Sequence, residues 1–324
     1  RYLRTQELLG ALGLPVLTPG PVSPEALHRV HPPAHAERIR AFCASGGGRI
    51  DEDTVASIES HEVALRSAGA AVAAVDAVLT DRFQYAVSLG RPPGHHALAE
   101  ATMGFCFFNN AAIAARHAQA AYGLKRVAIL DWDLHHGNGT EAIFYEDPSV
   151  LYLSTHQDPN WPGTGQVSAI GAGAGAGANV NVPLPIGTGD AGYLRVFREL
   201  LAPVMAAFAP ELIILSAGFD AHWRDPLGRM GLSVAGFEAL TREVAAWAER
   251  HAGGRLVVLQ EGGYNLDALA YSMLATVRTL VGAPVEDPLG PSPYHEPIEE
   301  IEAAIGEVRR VLAPYYRLAP ASAG

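Results

Sequence analysis

A chain of 324 residues with 49% hydrophobic content is long enough to bury a sizeable core, as one large α/β domain or two smaller ones. Its net charge of -11, without any cluster of Lys or Arg, argues against a nucleic-acid footprint and suits a neutral or cationic ligand better than a polyanion. Two cysteines, Cys43 and Cys106, are too few for a disulfide framework and fit a reducing compartment.

In chain order, residues 1–10 begin inside a helical pattern, and 57–79 carry the first long helix. Its most apolar stretch, 63–79, is broken by Arg66 and Asp76 and is therefore not membrane-spanning. A strand follows at 85–89, a helix at 109–122, and strands at 127–130, 150–154 and 179–184. The Gly-Ala tract 171–177 leads into a strand and has no Lys, so it reads as a flexible surface loop and not as a phosphate cradle. Helices at 192–208, 235–251 and 266–281 alternate with strands at 212–216 and 256–260, and Asp190, Ser233 and Asn265 stand at the expected N-caps. A Pro-rich segment, 284–297, wraps the surface before an amphipathic helix near 298–312. There is no domain boundary. No basic-apolar-small signal segment opens the chain, so a soluble cytoplasmic protein is expected. Alternating strands and helices predict a doubly wound parallel sheet covered on both faces, with ligands beyond the carboxyl ends of its strands.

The reactive side chains fall at those ends. Asp131-Trp132-Asp133-Leu134-His135 closes the apolar run Val127–Leu130, and extended backbone would turn Asp131, Asp133 and His135 to one side. Two carboxylates and an imidazole beside a core are costly to leave unpaired, and a divalent cation removes that cost. Taken alone, the segment could also be a capped strand end with solvated polar residues. Asp220, after Leu212–Ser216, completes an O/N/O ligand set of Asp133, His135 and Asp220 with open positions for water and substrate. Two anionic ligands acidify bound water less than an all-histidine site, so a general base is needed. His95-His96, aimed by Arg91-Pro92-Pro93-Gly94, offers one, and Asp131 is free to hold one imidazole in its tautomer.

Tyr264, after Gly262-Gly263, could donate its phenol to a developing oxyanion, although tyrosine is as often a core or rim residue. Gly104–Phe108 and Asn160–Gly163 bring aromatics to the same rim, where they suit a long aliphatic chain. Phe107 and Phe108 read as core. Cys106 has no activating pair of its own and reads as a small buried hydrophobe.

From about Leu27 to Gly282 the chain resembles the zinc-dependent histone deacetylase family, and in particular its class II and bacterial deacetylase-like amidohydrolase members. The resemblance rests on Arg91–His96, Gly104–Asn110, Asp131–Thr140, Pro162–Gly165, Ser216–Asp220 with Asp225–Gly228, and Glu261–Asn265. It implies a single-domain α/β arginase–deacetylase fold over 1–324, with a mostly parallel central sheet and helices on both faces. The catalytic motifs span 91–265 and the C-terminal wrap and helix 284–324. It implies zinc on Asp133, His135 and Asp220, and hydrolysis of acetyl-lysine or another short acyl-lysine by metal-activated water. His96 would be the general base and acid, His95 its partner held by Asp131, and Tyr264 the oxyanion stabiliser. Phe105 and Trp161 would wall the lysine tunnel, and the Gly104 carbonyl would accept the substrate N–H. A structural potassium ion would use Asp131, Asp133, His135, Ser154 and Thr155. Hydroxamate-type inhibitors are expected to bind, and the oligomeric state is left open.

Three departures matter. Asn138 stands where class I members have an Asp beside the second histidine, as in the class II pattern. Trp161 replaces the usual tunnel Phe, which bears on tunnel width and acyl-chain preference. No His-Pro-Glu opening is found. Tyr264 in place of His implies activity on acetyl-lysine. Leu227, where the polyamine-specific relative has an acidic gatekeeper, favours acyl-lysine protein or peptide over an acylated polyamine. The alternatives are an acetylpolyamine amidohydrolase, which shares all the chemistry, and a non-catalytic acyl-lysine-binding module. An arginase-like dimetal enzyme would need a second Asp-rich segment, which the chain lacks.

Overall fold

The structure is a computed structural model and describes residues 2–318. In chain order its elements are α1 (Tyr2–Gly10), α2 (Pro24–His28), α3 (Pro33–Ala44), β1 (Gly48–Arg49), β2 (Val55–Ala56), α4 (Ser60–Leu79), β3 (Tyr85–Ser88), α5 (Asn110–Tyr122), β4 (Val127–Asp131), α6 (Asn138–Phe144), β5 (Val150–Gln157), β6 (Asn179–Leu184), α7 (Asp190–Val196), α8 (Ala202–Phe208), β7 (Leu212–Ala217), α9 (Val234–His251), β8 (Leu256–Gln260), α10 (Leu266–Leu280) and α11 (Ile298–Leu312). Six strands form one sheet in the order β3-β8-β7-β4-β5-β6, every neighbouring pair parallel. β1 and β2 make a separate antiparallel hairpin.

Strand alternation sorts the core into two layers. Ala128, Leu130, Leu151, Leu153, Ile213 and Leu215 pack with α7, α9, α10 and α11 on one face. Val127, Ile129, Val150, Tyr152, Leu212 and Ile214 pack with α2, α3, α4 and α5 on the other. β4, β5, β7 and β8 are buried along their whole length, which is why each opens on an apolar run of four residues before polar residues appear towards its carboxyl end. The chain builds outward from β4 through β5 and β6, then returns to β4's other edge with β7. That reversal opens a crevice at the carboxyl ends of β4 and β7, the expected ligand position in such sheets.

The expected caps are partly corrected. The Ser233 and Asn265 side chains accept from Gly236 N and Ala268 N, both at 3.0 Å. Asp190 is not a cap: Gly189 takes that place, and the Asp190 carboxylate accepts Ser233 N–H at 2.8 Å and the Ser233 hydroxyl at 2.6 Å. The single helix read at 192–208 is α7, a π-helical turn Phe197–Leu201 and α8, because Pro203 has no N–H to return to the preceding turn. The 171–177 tract is tied down, with Ala172 N bonded to Tyr145 O at 2.8 Å and Tyr316 Oη to Gly177 O at 2.7 Å. Among the described residues no helix is long and apolar enough to cross a membrane.

Candidate active site and metal centre

β4 ends at Asp131, and the backbone bends immediately after it. The reading that places Asp131, Asp133 and His135 on one side of a continuing strand is therefore corrected. Asp131 Oδ2 lies 3.0 Å from His95 Nδ1 and also accepts the Tyr152 hydroxyl at 3.1 Å, while Asp133 and His135 cluster with Asp220. Short local bonds hold those bends, with Asp133 N donating to Asp131 Oδ1 at 3.1 Å and His135 N to Asp133 Oδ1 at 2.9 Å.

Asp133, His135 and Asp220 each offer a ligand atom, all within 4.8 Å of one another. His135 Nδ1 stands 3.2 Å from Asp133 Oδ1 and 3.1 Å from Asp220 Oδ2. Their other oxygens are fixed by backbone: Gly262 N donates to Asp133 Oδ2 at 2.7 Å and Leu134 N to Asp220 Oδ1 at 2.9 Å. Two glycines keep the space clear. A Cβ at Gly218 would lie 2.0 Å from Asp133 Oδ2, and one at Gly262 2.3 Å from Asp220 Oδ2. Burial and the Asp133 charge push the Asp220 carboxyl up to about 7. Burial opposes charge on His135, but its two carboxylate neighbours overcome it and raise the imidazole to about 10. A buried O/N/O set that otherwise retains a proton fits a divalent cation, whose charge would replace that proton.

The adjacent histidines follow β3 and face this cluster with unlike partners. Their rings are 3.9 Å apart. Burial disfavours charge on His95, yet Asp131, Asp133 and Glu261 raise it well above the usual histidine range. For His96 burial, the neighbouring His95 charge and His135 prevail over Asp133 and hold it well below that range. Its Nδ1–H donates to Asn138 Oδ1 at 2.8 Å, leaving Nε2 as the basic atom.

The rim is built from both sides. Trp161 packs edge-on to His96, ring centroids 4.7 Å apart, and Phe105 lies 6.1 Å from the Tyr264 ring. Gly104 and Phe105 both have positive φ, 57° and 66°. A Cβ at Gly104 would sit 2.4 Å from His96 Cδ2 and 2.7 Å from Trp161, so only glycine fits. The Gly104 carbonyl, expected to accept a substrate N–H, takes the Cys106 thiol at 3.3 Å. Burial pushes that thiol far up, as suits an inert small hydrophobe. Leu227 is half exposed. A cavity of about 550 Å³ opens beside Phe105 and Tyr264, lined also by Asp53, Val55, Glu59 and Val63. Of the residues expected around potassium, Ser154 is the register partner of Asp131, and the buried Thr155 hydroxyl has no hydrogen-bond partner among the described residues.

Sequence reasoning assigns no role to several residues that shape the site. Glu261 Oε2 accepts Gly94 N at 2.7 Å and Oε1 the Ser216 hydroxyl at 3.1 Å, so one carboxylate braces the histidine loop against β7 and β8. Asp225 accepts backbone N–H groups from Leu227, Tyr264 and Asn265. His136 Nδ1, 2.7 Å from the Thr164 hydroxyl, and His156 Nε2, 3.0 Å from Gly165 O, hold the loop that carries Trp161. His31 bridges Ala99 O and Asn109 N at 3.0 and 2.8 Å beneath the rim loop. Only runs of acid and imidazole beside glycine hint at these partners.

The family model of the histone deacetylase domain matches residues 1–280. The chain belongs to the histone deacetylase family. Membership makes it a deacetylase-type hydrolase. It is 45% identical over 272 residues to the histone deacetylase-like amidohydrolase of Pseudomonas aeruginosa, covering 83% of this chain and 72% of that protein. It is 39% identical over 309 residues to the human polyamine deacetylase HDAC10, covering 91% of this chain and 45% of that protein. The solved structure of the HDA15 HD domain superposes with a TM-score of 0.88 at 34% identity, over 97% of this chain and 88% of that one.

Proposed function

We propose that this deacetylase hydrolyses the side-chain amide of acetyl-lysine, or another short acyl-lysine, in a protein or peptide. The observation that carries the reading is the contrast between two touching histidines beside one ligand cluster, His96 bonded to the amide oxygen of Asn138 and His95 to the carboxylate of Asp131. Asp133, His135 and Asp220 would hold zinc, which when bound supplies Lewis-acid polarisation of the carbonyl and a lowered water pKa. His96 Nε2 takes the proton of the attacking water as its oxygen bonds to the acyl carbon. The Tyr264 phenol donates to the carbonyl oxygen as negative charge develops there. His96 then returns its proton to the departing nitrogen as the C–N bond breaks, releasing lysine and a carboxylate. The buried charge on His95 stabilises the anionic transition state without itself exchanging a proton.

Phe105 and Trp161 would flank the lysine methylenes and Gly104 would accept the amide N–H once the Cys106 thiol turns aside. A potassium ion near Asp131, Asp133, His135, Ser154 and Thr155 would neutralise charge behind the zinc ligands, a reading supported by the buried Thr155 hydroxyl, which has no hydrogen-bond partner among the described residues. The free thiols Cys43 and Cys106 agree with a reducing, cytoplasmic setting.

A second reading, an acylated polyamine as substrate, is supported by the similarity to HDAC10 and by Asp53 and Glu59 at the rim cavity, which suit a cationic amine. The apolar Leu227 at the rim favours the peptide. The test is a panel of acyl-lysine peptides and acylated putrescine and spermidine, with and without chelator. Faster turnover of the peptide, lost with chelator and restored by zinc, supports the proposal. A preference for polyamine above about tenfold, roughly 1.4 kcal/mol in the transition state, replaces it with the second reading.

A further inference from the structure

We propose that Asp225 is a positioning residue that sets the catalytic Tyr264 by lacing the loop after β8 to the rim loop after β7. The inference rests on the reading of Tyr264 as oxyanion donor. Asp225 is buried and five residues beyond the ligand Asp220. Its Oδ2 accepts the N–H of Tyr264 at 2.6 Å and of Asn265 at 3.1 Å, and its Oδ1 accepts the N–H of Leu227 at 3.0 Å. One carboxylate therefore grips the backbone of both the rim residue Leu227 and the residue that carries the phenol.

The loop needs such a grip. Tyr264 follows Gly262 and Gly263, and Gly263 has φ +118°, a conformation that side-chain-bearing residues rarely adopt, so the direction of the next residue is set by the bonds made around the turn. Downstream the chain is already fixed, because Asn265 caps α10 through Ala268 N at 3.0 Å and gives its amide to Arg224 O at 3.3 Å. Asp225 closes the gap between those glycines and the cap. Only a carboxylate serves, since it presents acceptors on both sides; an amide would point its own N–H at Leu227 or at the Tyr264–Asn265 pair.

The test is a double-mutant cycle of Asp225→Asn with Tyr264→Phe, reading kcat, KM and zinc per chain. Asp225→Asn alone is expected to lower kcat by ~10- to ~100-fold, the scale of a small misplacement of a reacting group, with KM and zinc content close to wild type. In the Tyr264→Phe background, where no phenol remains to be placed, the same change should cost less than about twofold in kcat. Losses that multiply, or that fall on KM or zinc content, overturn the inference. A Tyr264→Phe enzyme with wild-type turnover sinks the oxyanion reading itself, whereas a slow one with multiplying losses sinks only the role of Asp225. Should Asp225→Asn not fold, Asp225→Ser, which keeps one oxygen for a backbone N–H, carries the same cycle. Failure of both to fold assigns Asp225 to the fold and overturns the proposal.

Discussion

His96 hands its Nδ1–H to the amide oxygen of Asn138 across 2.8 Å, so the proposed base of this site leans on an uncharged partner. Asn138→Asp replaces that partner with a carboxylate and raises the pKa of His96. The neutral imidazole is the active form, and raising its pKa confines it to higher pH. The acid limb of kcat/KM should move up by ~1–2 pH units while the zinc content stays constant. A pH–rate profile that does not move would remove His96 from the role of base.

Zinc uptake should be strongly pH-dependent. His135, raised to about 10, and Asp220, raised to about 7, must give up protons to a cation. Affinity should therefore rise by about one decade or more per pH unit between pH 6 and 8, measured by competition with a chelating dye. Asp220→Ala removes a proposed ligand and also leaves the Leu134 N–H without its acceptor, so elemental analysis of that variant should find zinc lost.

The two glycines around the cluster are predicted to matter through space alone. Gly218→Ala forces a methyl to 2.0 Å from Asp133 Oδ2 and should abolish zinc binding while costing about 1–3 kcal/mol of stability. Gly306→Ala, in α11 with nothing within 4 Å of its new Cβ, is the contrast. It should keep full zinc and raise stability by about 0.5–1 kcal/mol in a urea melt.

His31 links the fold to pH. Burial lowers it from 6.5 to about 4 despite the bond to the Ala99 carbonyl. Its folded pKa lies below the unfolded one, so the unfolded chain binds the extra proton. This contribution to stability is complete above pH 6.5 and disappears as pH falls towards 4, a loss on the order of 3 kcal/mol. Urea melts of wild type and His31→Gln between those pH values should differ in slope by close to one proton. Equal slopes would show that His31 is not buried neutral.

Much of this was open to reading in the residues. Leu212-Ile213-Ile214-Leu215 reads as a strand because it is covered on both faces, and Asp133, His135 and Asp220 read as ligands because little else explains acid and imidazole at strand ends. α3 escapes notice because Pro32-Pro33 looks like a breaker, although proline at a first turn opens a helix. Asp190 looks like a cap because its true partner, Ser233, lies 43 residues away. Glu261 and Asp225 are mute for another reason: most of their bonds run to backbone N–H groups, which leave no trace in a side-chain pattern.

The Glu261 brace reaches further than the site it frames. β3 is an outermost strand, with three of its four residues only partly covered, and such margins ordinarily fray first. The hydrogen on the Gly94 nitrogen is nonetheless clasped by a carboxylate anchored in the sheet interior. In deuterated solvent that hydrogen should survive about as long as those of the central strands, so the histidine pair that follows it should come loose only when the sheet around it opens.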